Sequence, residues 1–178
     1  MEGILVAYSI VPYDATFEAR YELKILLNEL EELFPNISSV EMHIAPSGLN
    51  GLILVDLRDY MRDKDDQFKG KFREEFLRKF EEMKEGGEIR YIVKITFFDY
   101  LVETDVSKIA EKIKNYKNVI DDRWRLTIRT RKMVGDRKEF IQKLAEPIEQ
   151  PVDLKNPVYV IFVEVLGDLT GVYLEKKV

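Results

Sequence analysis

Residues 123–132 run Arg123-Trp124-Arg125-Leu126-Thr127-Ile128-Arg129-Thr130-Arg131-Lys132. Side chains alternate across a β-strand with a period of two. Trp124, Leu126, Ile128 and Thr130 therefore fall on one face, and Arg123, Arg125, Thr127, Arg129 and Arg131 on the other. The pattern predicts a strand with an apolar side and a basic side. Guanidinium forks repeating every ~7 Å along a strand match successive phosphates and can hold them bidentately. Just downstream, Gly135-Asp136 starts a helix in which Asp136 and Glu139 have capping-box spacing. The free N–H groups and positive dipole end of that helix, with Arg137 and Lys138, offer a second phosphate seat.

Working outward, Pro147 and Pro151 close the helix, and residues 158–166 are a nearly unbroken apolar run. Such a run predicts a strand buried on both faces. Glu164 lies inside it, where an unpaired carboxylate is costly, so it is expected to pair with an arginine of the neighbouring strand. Residues 167–171 turn the chain into a last short strand over 172–175. Upstream, a helix is expected at about 105–116, capped by Thr104 or Asp105.

The first half gives a strand at 3–9 and a helix at about 15–34, carrying Phe17, Tyr21, Leu23, Leu26, Leu27, Leu30, Leu33 and Phe34 at helical spacing. A hairpin of strands at 39–44 and 52–57 follows, turned by Pro46-Ser47-Gly48, then an acidic, mobile-looking stretch at 58–66. A helix at 68–84 with the stripe Phe72, Phe76, Leu77, Phe80 and Met83 ends at Gly86-Gly87, before a strand at 89–98. The expected order β-α-β-β-α-β is the ferredoxin-like split arrangement. The fold class is therefore α+β, with a ferredoxin-like domain over 1–100 and a second α/β domain over 101–178.

Composition narrows the chemistry. Cysteine is absent, which excludes disulfides and thiolate nucleophiles or ligands. His43 is the one histidine and reads as ordinary strand or surface material, so no metal is expected. Neither G-x-G-x-x-G nor G-x-x-x-x-G-K-[ST] occurs, so no nucleotide cofactor is implied. An acylphosphatase-like cradle on a ferredoxin-like scaffold needs a basic first loop, yet residues 10–16 contain none. Glu31-Glu32, Glu74-Glu75 and Glu81-Glu82 sit among lysines and arginines and read as solvated faces. No catalytic residue is assigned. No apolar run reaches membrane-spanning length and no signal peptide is evident, so a cytoplasmic location is expected.

The net charge of -5 speaks against a general polyanion binder, but its distribution does not. Residues 1–120 carry 17 basic and 23 acidic side chains, whereas positions 123–138 hold seven basic ones against Asp136 alone. A concentrated patch steers a polyanion because salt screens distant charges. The acidic first half also suits a regulatory module that binds a basic protein.

Residues 124–132, the helix start at 135–139, Val152-Asp153-Leu154-Lys155-Asn156-Pro157 and Val160-Ile161-Phe162-Val163-Glu164-Val165 together resemble a THUMP domain. Residues 90–95 and Val102-Glu103-Thr104-Asp105 look like the junction from the ferredoxin-like domain that accompanies it. The resemblance spans essentially the whole chain and is specific in the second half. One departure is Gly135-Asp136-Arg137, where relatives often carry small serines. The resemblance implies tRNA binding, in many members through the acceptor stem and its 3′ CCA end. The RNA-binding residues it and the basic pattern together imply are Arg123, Arg125, Arg129, Arg131, Lys132, Arg137, Lys138, Lys155 and Asn156. Members usually carry a fused catalytic domain, and with none before Val178 the chain looks like the stand-alone Tan-type proteins. Those assist a tRNA cytidine acetyltransferase that makes N4-acetylcytidine, so a tRNA and that acetyltransferase or another tRNA-modifying enzyme are the implied partners, with no cofactor.

Overall fold

In a computed structural model, which describes residues 1–44, 50–130 and 136–177, the apolar run Gly3–Tyr8 forms β1. After it come α1 (Thr16–Leu30), a 3-10 turn (Ile37–Ser39), β2 (Glu41–Ile44) and β3 (Leu52–Asp56). Next are α2 (Arg58–Met61), α3 (Asp66–Glu85) and β4 (Ile92–Phe98). The strands form a sheet of order β2-β3-β1-β4, with β3 antiparallel to both β1 and β2. The chain divides into two compact units, Met1–Phe97 and Phe98–Val178. Both mix helices with a sheet, so the fold is α+β.

In the first unit α1 and α3 pack on the sheet. Leu23, Leu26, Leu27, Leu30, Phe72, Phe76 and Phe80 meet Ile4, Val6, Ile53 and Val55 in one apolar cluster. Glu22 is buried among them because its carboxylate accepts the N–H groups of Arg90, Tyr91 and Ile92 at 2.6, 3.0 and 3.0 Å. This joins α1 to the start of β4.

Three sequence expectations are corrected here. Phe17, Tyr21 and Leu33, placed on the apolar stripe of the first helix, are exposed. The buried face of α1 runs through Ala19, Glu22, Leu23, Leu26, Leu27 and Leu30, which turns Phe17 and Tyr21 to the opposite side. Leu77 is likewise exposed, outside the Phe72-Phe76-Phe80 stripe. The acidic stretch at 58–66 is structured. Met61 is buried, Arg58 pairs with Asp56 at 2.7 Å, and Asp65 caps α3 by accepting from the Phe68 N–H.

The second unit holds β5 (Tyr100–Glu103), α4 (Val106–Lys114), β6 (Trp124–Thr130), α5 (Arg137–Ala145), β7 (Tyr159–Leu166) and β8 (Leu169–Lys176). Its sheet order is β5-β8-β7-β6, antiparallel except for the parallel pair β6/β7. β5 has no counterpart in the sequence expectations, since Asp99 alone separates it from β4. Its backbone N–H donates to Val172 O at 2.9 Å and its carboxylate accepts from the Tyr116 hydroxyl at 2.6 Å. β8 is longer than the short strand expected, because Thr170 and Gly171 pair along β7 instead of belonging to the turn. Helices α4 and α5 cover the face bearing Trp124, Ile128, Ile161 and Val163. β7 is buried along its full length, as its unbroken apolar run requires.

Candidate nucleic-acid interface

β6 is the last strand of its sheet, bridged on its outer side at Trp124 to Val152, so its basic side chains border the sheet margin. Trp124 and Ile128 point into the core, and the Trp124 indole N–H donates to Gln150 O at 2.8 Å. That ring is structural and unavailable for stacking on a base. Arg125, Thr127 and Arg129 take the other face, in register with Val160, Phe162 and Glu164 of β7.

The arginines of that face have different surroundings. Arg129 Nη1 donates to Glu164 Oε1 at 2.8 Å, which is the partner Glu164 needs. Its guanidinium lies 5.1 Å from the centre of the Phe162 ring, which stacks on Tyr173 at 4.8 Å. Burial opposes the charge on Arg129, but the hydrogen bond and attraction of Glu164 outweigh it and hold the pKa above its ordinary value. Burial, then the Glu164 charge, push the Tyr173 hydroxyl up to about 12. The Arg129 side chain is nonetheless 49% exposed, so its outer N–H groups still face solvent. Arg125 Nη1 donates to Leu154 O at 3.1 Å, while its buried Nε has no acceptor among the described residues.

At the start of β6, Arg123 sits 3.5 Å from Asp122 and 3.6 Å from Asp153. Asp153 shapes the neighbouring loop by accepting the N–H groups of Asn156 at 2.9 Å and Lys155 at 3.0 Å. Those two bonds, Asn156 first, hold its carboxyl below the ordinary carboxylate range. The loop is tied to β6 by Asp153 N–H to Trp124 O at 2.9 Å and Val158 N–H to Arg123 O at 2.8 Å. Lys155 and Asn156 are thereby set out beside Arg123, both exposed.

At the far end of β6, Arg137 Nη2 donates to Ile128 O at 3.3 Å, and Lys138 is exposed. Asp136 caps α5 through the Lys138 N–H at 2.9 Å. Glu139 pairs with Lys143 at 3.2 Å, so the expected reciprocal capping box is replaced by an i, i+4 ion pair. A carboxylate already occupies the axis of α5, and cation side chains rather than the helix end are left to meet an anion there. Arg131 and Lys132 lie outside the described residues.

The basic side chains thus gather in two groups at the ends of β6: Arg123 with Lys155 and Asn156, and Arg129 with Arg137 and Lys138. Six residue steps along the strand, from Arg123 to Arg129, separate them by roughly 20 Å. The sequence led to the expectation that a strand arginine pairs with Glu164; that residue is Arg129, and Arg125 is held by Leu154 O, whereas Lys138 and Lys155 have no side-chain acceptor among the described residues.

One cluster elsewhere has metal-ligand chemistry. Glu41, His43 and Asp56 place ligand atoms within 4.8 Å of one another on β2 and β3. Both Asp56 oxygens already accept from Arg58, at 3.0 and 2.7 Å, so a cation there would compete with a guanidinium. No helix among the described residues is long and apolar enough to cross a membrane.

No family model and no curated protein matches the chain. Solved structures do. PH1313 from Pyrococcus horikoshii superposes over 99% of this chain and 54% of its own, at TM-score 0.54 and 22% identity. A 4-thiouridine synthetase, solved in complex with RNA and bound ATP, superposes over 99% of this chain and 42% of its own, at TM-score 0.58 and 14% identity. The chain spans about half the length of these proteins. Over nearly its whole length it therefore has the α+β fold of part of an RNA-bound 4-thiouridine synthetase.

Proposed function

We propose that this chain is a tRNA-binding adaptor of the THUMP type, with a ferredoxin-like first unit, that presents tRNA to a modifying enzyme without catalysing the modification itself. The reading is carried by cation groups at both ends of an edge strand, on a fold shared with an RNA-bound synthetase. The strand order β2-β3-β1-β4 supports the ferredoxin-like part, and residues 152–157 and 160–165 support the THUMP part. Lys138 and Lys155 are the foremost phosphate contacts, joined by Arg123, Asn156 and the outer faces of Arg129 and Arg137. Arg125 lines the same strand face, and Arg131 and Lys132 extend the basic run in sequence. The partner in this proposal is a tRNA cytidine acetyltransferase, in the cytoplasm, and the product is N4-acetylcytidine.

Filter binding to tRNA with and without its CCA end tests the RNA part. Log affinity should fall with log salt by ~0.7 to 0.9 per phosphate contacted. Lys138→Glu with Lys155→Glu should flatten that slope by roughly two contacts. No binding at low salt would remove the RNA role, and an unchanged slope would move the site elsewhere. The adaptor role is tested separately by the N4-acetylcytidine content of tRNA from cells lacking the protein. A second reading, binding of a basic protein, rests on residues 1–97 carrying 19 acidic against 13 basic side chains. RNA-independent capture of the acetyltransferase, lost on neutralising Asp63, Asp65 and Asp66, would favour it.

A further inference from the structure

Phe17 is 81% exposed and Tyr21 61%, one turn apart on the solvent side of α1. Directly before the helix, the backbone closes on itself through Ala15 N–H to Ser9 O at 3.2 Å. That closed loop presents Ile10 at 49%, Val11 at 77% and Tyr13 at 48% exposure. Tyr13 is held in place by its hydroxyl, which donates to the Tyr91 hydroxyl at 3.0 Å. Scattered exposed apolar residues need no explanation, but five within twelve residues, on a helix face and the loop that leads into it, mark a place where something binds. None of them takes part in the basic surface around β6.

Charge identifies the occupant. With 100° between successive helical residues, Glu18 stands on one flank of the Phe17–Tyr21 stripe, and Arg20 and Lys24 stand on the other. A two-fold axis running along the helix would set the acidic flank of one copy against the basic flank of its partner, and would do so twice. It would also bring Phe17 and Tyr21 onto their own counterparts. An isologous contact needs this kind of self-complementary surface. Area agrees: aromatic side chains bury ~150–250 Å² each, so at these exposures the patch offers roughly 500 Å² per copy. Two copies then bury about 1,000 Å², the lower bound of a specific interface.

We infer that the exposed α1 face and the loop before it form a homodimer contact, in which Phe17 and Tyr21 are the anchors and Glu18 faces Arg20 and Lys24 of a second copy. At this size the contact falls in the small, transient class of interfaces.

Sedimentation equilibrium of the full chain without RNA, from about 1 to 200 µM, tests this across the range where such an interface dissociates. A monomer–dimer equilibrium is expected. Phe17→Ser and Tyr21→Ser should each weaken it at least tenfold while leaving unchanged the melting temperature of the dilute monomer, in which both side chains face solvent. Glu18→Lys should weaken it, and adding Arg20→Glu should restore most of the loss, which a folding defect could not do. A chain that stays monomeric throughout, or a dimer indifferent to Phe17 and Tyr21, would overturn the inference. So would a monomer whose Ser variants lose tRNA affinity, which would make the surface a stacking platform for bases. Because the sedimentation measurement is free of RNA, its outcome is independent of the tRNA-binding proposal.

Discussion

Glu22 is a single carboxylate that accepts three consecutive backbone N–H groups, those of Arg90, Tyr91 and Ile92. Buried donors left without an acceptor cost ~1–3 kcal/mol each, more than the bonds contribute when made. Glu22→Ala should therefore destabilise the first unit by about 3 kcal/mol, and Glu22→Gln by less, read as the shift of its urea midpoint. Gly171 is constrained by space. A Cβ there would lie 2.3 Å from the Phe98 ring, which is itself fully buried and cannot swing away. Gly171→Ala should cost ~1–3 kcal/mol through overpacking, measured by thermal melting, and Phe98→Leu should recover part of it. Neither role was legible beforehand. Glu22 reads as one more polar helix position and Gly171 as part of a turn, because each owes its environment to residues far along the chain.

Among the elements, the loop from Val152 to Pro157 shows how a local sequence sets a site. Asp153 binds the N–H groups two and three residues on, and its carboxyl titrates below the ordinary range because of them. A carboxyl depressed in the folded state contributes order above its unfolded pKa, and loses it as pH falls through the folded value. The amide resonances of Asn156 and Lys155 should therefore hold steady at neutral pH and shift together below about pH 4, the acid side of the ordinary Asp value. Asp153→Asn should abolish that titration. An NMR pH series checks both, and a midpoint at or above the ordinary value would refute the assignment. The alternation in β6 was readable directly, since the apolar face of a strand on a helix layer leaves a plain period of two. Helix α1 was misread at Phe17 and Tyr21, because apolar residues on both faces of a helix satisfy the same spacing. The turn at 58–66 was misread because its charges hid one buried anchor, Met61.

Across the whole molecule, the α+β class followed from periodicity, and the pairing of β7 with a basic neighbour followed from Glu164. The order of the second sheet did not follow, since β5-β8-β7-β6 depends on which distant strand fills the centre. That placement of β8 has a further consequence. β5 hydrogen-bonds to β8 and not to β7, so no strand pairing joins the early and late parts of the second sheet until residues 169–176 arrive. On the ribosome the first unit can fold as soon as β4 emerges, whereas the second must wait with one edge of β7 unpaired. A nascent chain halted at Leu166 should recruit a chaperone through that open, apolar strand edge, and one extended past Lys176 should release it.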